Sequence, residues 1–352
     1  MMRLACLILA CLLVAGFGSL PGRPAALAGH LVAPSGASPL LPRERIEAAY
    51  ARLPHRSGHV PARDGVALFW SAFDPGDYRL RYAWSRGAHA EDIRFALDFD
   101  VPTAPAPAPR GTVVLLHGWM MDGGSLLPWS LRLAEAGYRT IAIDLRNHGR
   151  SGHGPSGYGT REAADVVDAV AALRARGEIA GPLHLMGVSY GAATALFAAA
   201  DPALRAERVV ALESFDNAGA AIRDMVPHML ATEPEGWGQR ALQHWMRWRT
   251  DAAALDAAIA QAGRALHLSL DEVDVGAALA RAPACVLLVH GTADRHVPVA
   301  HGRALAAAAP HARYLELEGE DHLSLPMRLD RLAPTVIDWF ERPCARTGFA
   351  AR

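Results

Sequence analysis

Gly187-Val188-Ser189-Tyr190-Gly191 follows a short apolar run, Leu183 to Met186, and precedes a small-residue stretch, Ala192 to Ala200. A serine hydroxyl is a weak nucleophile, so it must be lifted clear of the backbone and given a base. A tight strand-to-helix turn does the lifting. Such a turn leaves little room beside the serine, which favours glycine two residues to either side. Ala192, Ala193 and Ala195 then let the helix lie close to the strand. The five-residue pattern alone is a weak signal in a chain with 32 glycines, because a plain strand–helix connection supplies the same letters. The strand before it and the helix after it make it an elbow.

The same rhythm extends to both sides. Thr112 to Leu116 is a short run ending at His117-Gly118, and Thr140 to Ile143 ends at Asp144. Arg208 to Leu212 ends at Glu213, Cys285 to Val289 at His290-Gly291, and Arg313 to Leu317 at Glu318. Helix-length segments lie between them: Leu126 to Ala136, Arg161 to Arg176 and Val299 to Ala309. Continuous apolar strands alternating with helices predict an α/β fold, with a mostly parallel central sheet and helices on both faces. In such sheets, sites form beyond the carboxyl ends of the strands. One interval breaks the rhythm. From Glu213 to Arg281 there are helical stretches but no good strand, which predicts a helical cap insertion at 213–281 between two parts of one core, 61–212 and 282–342.

Upstream, Val66–Phe73, Tyr78–Trp84 and Ile93–Val101 read as strands. Ala104 to Pro109 alternates alanine and proline, a stiff exposed loop. Residues 29–60 are rich in proline, glycine and serine and carry one helical stretch, Arg43 to Ala51, so they read as an arm over the domain. Residues 343–352 are a short tail.

The first 28 residues read as a secretory signal. Arg3 is followed by an apolar run to about Phe17, a break at Gly18 to Gly22, and the small-x-small pattern Ala26-Leu27-Ala28. Cleavage is expected between Ala28 and Gly29, which places the mature protein in the periplasm or outside the cell. Left uncleaved, the segment would be a membrane anchor, although its run is shorter than the roughly 20 residues of a spanning helix. Cys6 and Cys11 leave with the signal. Cys285 and Cys344 remain, and an oxidising compartment permits them to pair; a disulfide and two buried thiols are equally open.

The 352 residues are 51% hydrophobic and 20% charged, which excludes a disordered chain. Net charge is -1, so no bulk attraction to nucleic acid is present. All 35 basic side chains are arginines, a bias given no functional weight. No metal-spaced cysteine set, H-E-x-x-H run or G-x-G-x-x-G loop appears, and no metal or cofactor is expected.

A base and an orienting acid should follow later strands. His290-Gly291-Thr292-Ala293-Asp294 and Gly319-Glu320-Asp321-His322 are so placed. The order Ser189, Asp294, His322 makes His322 the base and Asp294 the group that fixes its tautomer. His296, His301 and His311 fall between strands and are set aside on position. Asp321 is a weaker candidate acid, because neighbouring residues point apart. Glu213 and Asp216, after the preceding strand, are serious rivals. The developing oxyanion needs two fixed donors. The backbone N–H groups of Tyr190 and Trp119 are the candidates. His117 either orders the Trp119 loop or is a core histidine bonded to backbone.

In order, His117-Gly118-Trp119, Asp144-Leu145-Arg146-Asn147-His148-Gly149-Arg150-Ser151, the Ser189 elbow, Gly291-Thr292-Ala293-Asp294 and Asp321-His322 resemble the α/β-hydrolase superfamily over about Gly111 to Phe340. Glu213-Ser214-Phe215-Asp216, with Pro227 downstream, is similar to a bacterial branch of small-capped serine hydrolases. The resemblance implies cleavage of an ester, thioester or amide through an acyl-serine. A serine at the elbow argues against dehalogenase or epoxide-hydrolase chemistry, in which relatives use an aspartate. Asn147 stands where many relatives have glycine; asparagine tolerates left-handed geometry, so the turn should survive.

The substrate expected is a small acyl ester, with neither nucleic acid nor an integral membrane span in the mature chain. Phe215, Met225, Met229, Trp237, Trp245, Met246 and Trp248 of the cap can line an acyl pocket or form the cap's own core, and the spacing favours the core. Arg240, Arg247 and Arg249 fit an anionic substrate group and a solvated face equally well. An acyltransferase using the same acyl-serine is the second enzyme class, separable by product analysis with an alcohol acceptor. A non-catalytic binding protein of this fold is the third, and it would not react with a fluorophosphonate.

Overall fold

The computed structural model describes residues 23–33, 43–86, 93–231 and 251–344. The apolar run expected to be part of a signal, most of the C-terminal tail, and Trp237, Arg240, Trp245, Met246, Arg247, Trp248 and Arg249 of the expected cap lie outside them.

Eight strands form the central sheet: β1 (Arg56–Pro61), β2 (Ala67–Phe73), β5 (Thr112–Leu116), β6 (Arg139–Ile143), β7 (Leu183–Val188), β8 (Arg208–Leu212), β9 (Cys285–Gly291) and β10 (Arg313–Leu317). Their order is β1-β2-β6-β5-β7-β8-β9-β10. From β6 to β10 all neighbours are parallel, and β1 and β2 add an antiparallel edge. Every residue of β5, β7 and β8 is buried, as expected of strands covered on both faces. The chain passes from β5 to β6 on one side, then to β7 on the other. Strand order therefore reverses beside β5, and the carboxyl ends there are where such sheets place their sites.

Two hydrophobic cores flank the sheet. One takes in α4 (Thr160–Ala175) and α5 (Tyr190–Ala199), the other α3 (Leu127–Glu135) and α10 (Leu329–Glu341). Ala192, Ala193 and Ala195 of α5 are completely buried, which brings the helix axis close to β7 and β8.

The structure departs from the sequence expectation in four places. Residues 56–61, spanning the end of the expected 29–60 arm and the first residue of the expected core, form the edge strand β1. It was not legible because Val60 is its one buried side chain and Pro61 closes it, both usual for an edge. The strand expected at Tyr78–Trp84 runs instead as β3 (Arg81–Arg86), paired with β4 (Ile93–Asp98) in a separate two-stranded sheet. Tyr78 is excluded from it because its ring packs on Phe73 and its hydroxyl donates to Asp74 O at 2.8 Å. The cap is shorter at its end. α6 (Ala218–Ala231) and α7 (Ala252–Leu266) belong to it, but α8 (Val275–Arg281) packs on α5 and on α9 (Val299–Ala308). Adjacent parallel strands β8 and β9 need such a crossover helix.

The fourth departure is at the start. Arg23–Val32 form a helix, α1, packed against α7, with Ala28 and Leu31 buried; α2 (Arg43–Arg52) follows, as expected. The Tyr158 hydroxyl donates to Leu31 O at 2.8 Å. The expected cleavage point thus falls within a helix. No helix among the described residues is long and apolar enough to cross a membrane.

Cys285, at the amino end of β9, and Cys344, just past α10, form a disulfide with Cα atoms 6.0 Å apart.

Candidate active site

Ser189 sits between β7 and α5 with φ 53° and ψ -115°, a left-handed conformation that L residues adopt only under constraint. Its N–H donates to Leu212 O at 2.8 Å, which ties the elbow to β8. The flanking glycines are there for space. A Cβ on Gly187 would stand 2.2 Å from Gly191 O.

From this elbow the Ser189 hydroxyl reaches His322 Nε2 at 3.0 Å. On the other side of the ring, Nδ1 lies 2.6 Å from Asp294 Oδ2. The three side chains named from sequence are therefore brought into one continuous chain of contacts. Asp294 is fixed by its other oxygen, which accepts the N–H groups of His296 at 2.9 Å and Val297 at 2.8 Å. Burial alone would raise its pKa; the His322 charge and hydrogen bonding outweigh that and hold the carboxyl well below the ordinary range. His290 Nε2 is 3.5 Å from Asp294 but has its hydrogen bond with Val297 O at 2.8 Å.

The other acids are sorted by geometry. Asp321 Oδ1 accepts from Leu323 N and Ser324 N, so it shapes the turn that carries His322. Asp216 is bonded to His301 Nδ1, whose other nitrogen lies 3.0 Å from Asp224 of α6. Glu213 is different: it is completely buried, and Oε2 lies 3.7 Å from His322 Nδ1.

His117 orders the loop after β5. Its Nε2 accepts Leu145 N at 2.9 Å, leaving Nδ1–H to donate to Gly118 O at 2.8 Å. Burial pushes its pKa down to about 4 against that hydrogen bond, so the ring is neutral. His148, to which the sequence assigned no role, holds the same loop: its Nε2 accepts Met120 N at 3.1 Å. Gly118 meets the elbow directly, since a Cβ there would be 3.7 Å from Ser189 Cβ. The loop that carries the Trp119 N–H thus starts beside the serine. Tyr190 opens α5, so its N–H has no acceptor within the helix. Asn147 adopts φ 70°, and its side-chain amide exchanges two hydrogen bonds with Gly154, at 2.8 and 3.0 Å. Asparagine is thus accommodated at this left-handed position, and the expected turn is formed.

Two features were missed from sequence. His296, set aside on position, stacks on His322 with ring centroids 5.3 Å apart, and His228 of α6 meets it edge-on at 4.6 Å. The β3–β4 sheet braces the His322 loop as well. Arg86 donates to Gly319 O, Glu320 and Ser324, and the Tyr82 hydroxyl donates to Met327 O. Nothing in the local pattern of those strands announces a partner over 230 residues away.

In the cap, Phe215, Ile222, Val226, Leu255 and Ile259 are buried in the core shared with one face of the sheet, while Met225 and Met229 are half-buried.

Residues 113–335 match the Alpha/beta hydrolase family. The chain belongs to that family. It is 30% identical over 251 residues to the pimeloyl-[acyl-carrier protein] methyl ester esterase of Xanthomonas campestris, covering 64% of this chain and 92% of that one. Among solved structures it is similar to the Pyrococcus furiosus esterase Pf2001, with a TM-score of 0.58 and 16% identity, covering 88% of this chain and 97% of that one. An esterase from Exiguobacterium antarcticum superposes with a TM-score of 0.52 at 19% identity, covering 81% and 99%. At these identities the two structures speak for the fold.

Proposed function

We propose that the protein is an exported serine esterase that cleaves a carboxylic ester through an acyl-serine. The observation that carries this reading is the unbroken path from the Ser189 hydroxyl through both nitrogens of His322 to Asp294. Ser189 Oγ attacks the acyl carbonyl carbon while its proton passes to His322 Nε2. The carbonyl oxygen becomes an oxyanion, held by the N–H groups of Trp119 and Tyr190. Collapse breaks the bond to the alkoxy group, which leaves as an alcohol with the proton from His322. Water then repeats the sequence on the acyl-serine, giving the acid and restoring Ser189. Asp294 keeps the Nδ1 proton in place and stabilises the imidazolium formed in each half-reaction.

An ester rather than an amide is supported by the name of the Xanthomonas relative, a methyl ester esterase. Work outside the reducing cytoplasm is supported by the Cys285–Cys344 disulfide and by the signal-like first residues.

The test is fluorophosphonate labelling together with a panel of p-nitrophenyl esters of increasing acyl length. The wild type should label and turn over esters. Ser189→Ala should lose labelling and about 10⁴- to 10⁶-fold in turnover while remaining folded. Near-normal turnover in that variant would overturn the reading.

A further inference from the structure

Strand register sets Glu213 in the middle of the site. Val188 pairs with Leu212 and Leu212 with Val289, so the next residue along β8 lies between Ser189 and His290. Glu213 has φ 54°, and its N–H donates to Val289 O at 2.8 Å. Its side chain is shut off from solvent, and neither carboxyl oxygen has a hydrogen-bond partner. A buried polar group left unpaired costs about 1–3 kcal/mol, so a residue kept only for packing would not be an acid here. The strand end is packed closely around it: a Cβ on Gly291 would stand 2.3 Å from Glu320 O and 3.1 Å from Glu213 Oε1.

Both Glu213 and Asp294 approach the same nitrogen. Asp294 Oδ2 is 2.6 Å from His322 Nδ1 and Glu213 Oε2 is 3.7 Å from it. One carboxyl oxygen of each acid and one ring nitrogen of His322 all lie within 4.8 Å of one another. We infer that Glu213 is a second orienting acid for His322, a positioning residue that takes over the Nδ1 proton when Asp294 is unable to hold it. The inference rests on His322 being the base proposed above.

Two carboxylates this close do not both ionise. Glu213 is the protonated member: burial, then the charges of Asp294, Asp321 and Glu320, push its pKa well up. With Asp294 charged, Glu213 is neutral. When the Asp294 charge is removed, the strongest of those repulsions disappears. Glu213 then ionises against the imidazolium, and a small side-chain shift closes the 3.7 Å gap.

The test compares wild type, Glu213→Gln, Asp294→Asn and the double variant on p-nitrophenyl butyrate across pH, with circular dichroism to confirm folding. Gln replaces a protonated Glu almost atom for atom, so Glu213→Gln should retain kcat/KM within about 3-fold. An orienting acid with no substitute is worth about 10⁴. Asp294→Asn should lose only about 10²- to 10³-fold, and adding Glu213→Gln should take a further 10-fold or more towards about 10⁴. The acid limb of the pH profile should lie higher in Asp294→Asn than in the double variant, because a carboxylate there raises the imidazole pKa. A merely structural role would not move that limb. Infrared spectroscopy on the two single variants gives a readout independent of the double variant's folding. A protonated-carboxyl band lost in Glu213→Gln should also be lost in Asp294→Asn.

A double variant with the rate and pH limb of Asp294→Asn overturns the inference but leaves the serine-esterase reading standing, as does a carboxyl band that survives in Asp294→Asn. Wild-type rates in Asp294→Asn, with the loss confined to Glu213→Gln, overturn both the inference and the acid assignment. Activity that survives Ser189→Ala overturns the esterase reading itself.

Discussion

Gly191 lies so close to Leu116 that a Cβ built on it would stand 2.2 Å from the Leu116 carbonyl oxygen and 2.5 Å from that of His117. The first turn of α5 is thereby pressed against the end of β5. Both obstructing atoms belong to backbone, so no rotamer change relieves the clash. Gly191→Ala must displace either the elbow or the loop that carries Trp119. The expected cost in stability is at the upper end of the roughly 1–3 kcal/mol of overpacked sites. Ester turnover should fall further than stability does, because the elbow and the loop after β5 both move. Denaturant unfolding and kcat/KM on the same preparation check this. A variant with unchanged turnover would show that the contact does not set the site.

His301 joins helices α6 and α9 by lying between Asp216 and Asp224. Burial disfavours its charged form, but the hydrogen bonds and charges of Asp216 and then Asp224 outweigh it, so its pKa is raised. A pKa raised by folding means that the folded state binds the proton more tightly. The stabilisation is complete below the unfolded value of about 6.5 and fades as pH rises through the folded value. His301→Gln should therefore lower the melting temperature most near about pH 6 and least near about pH 9. An equal difference at both ends would mean the ring contributes by packing alone. Because Asp224 lies on the cap helix α6, the same variant should loosen the cap against the core at low pH.

The mature N-terminus is expected at Gly29. A signal is read while the chain is still unfolded, so burial of Ala28 in the folded protein does not protect the bond after it. The cut would leave Leu31, which is completely buried, and the Tyr158 hydrogen bond to its carbonyl. N-terminal sequencing of protein recovered from the periplasm or medium should begin Gly29-His30-Leu31. A sequence beginning at Met1 would show that the segment is retained, with α1 in full.

Much of this molecule was legible because strands buried on both faces must be apolar throughout. β5, β7 and β8 are buried at every position and apolar at all but Thr112, His184 and Arg208, and the polar residue after each marks a carboxyl end. That rule reaches Ser189 after β7; Asp294 follows β9, buried at all but its first residue, and His322 follows β10, which is mostly half-buried and is legible only as a short apolar run. β1 escaped because a solvated edge strand needs one apolar residue, and Val60 was not enough to announce it. The choice among acids was not legible either. Glu213 and Asp294 follow adjacent strands, and both reach towards His322 Nδ1. Only the difference between 3.7 Å and 2.6 Å ranks them, and that depends on backbone angles such as the positive φ at Glu213. His296 was dismissed for lying between strands. The turn that lets Asp294 cap His296 N and Val297 N also folds the His296 ring back over the site.

The Cys285–Cys344 bond closes a loop of 59 residues around the second part of the core. In the chain-entropy model a loop of that size stabilises the folded state by about 4 kcal/mol, through restriction of the unfolded chain. Cys285→Ser with Cys344→Ser should lower the unfolding free energy by up to about that amount and lower the melting temperature with it. Ester turnover at room temperature should change little. Cys285 starts β9 at its amino end, whereas Asp294 lies just beyond the carboxyl end of that strand. Differential scanning calorimetry with and without reductant measures the first effect, and p-nitrophenyl ester hydrolysis the second. Mass spectrometry without reductant that finds two free thiols, or a melting temperature indifferent to reductant, would show that the link does not form in the protein as made. A large loss of turnover without a loss of stability would instead mean that the anchor at the amino end of β9 controls where Asp294 sits.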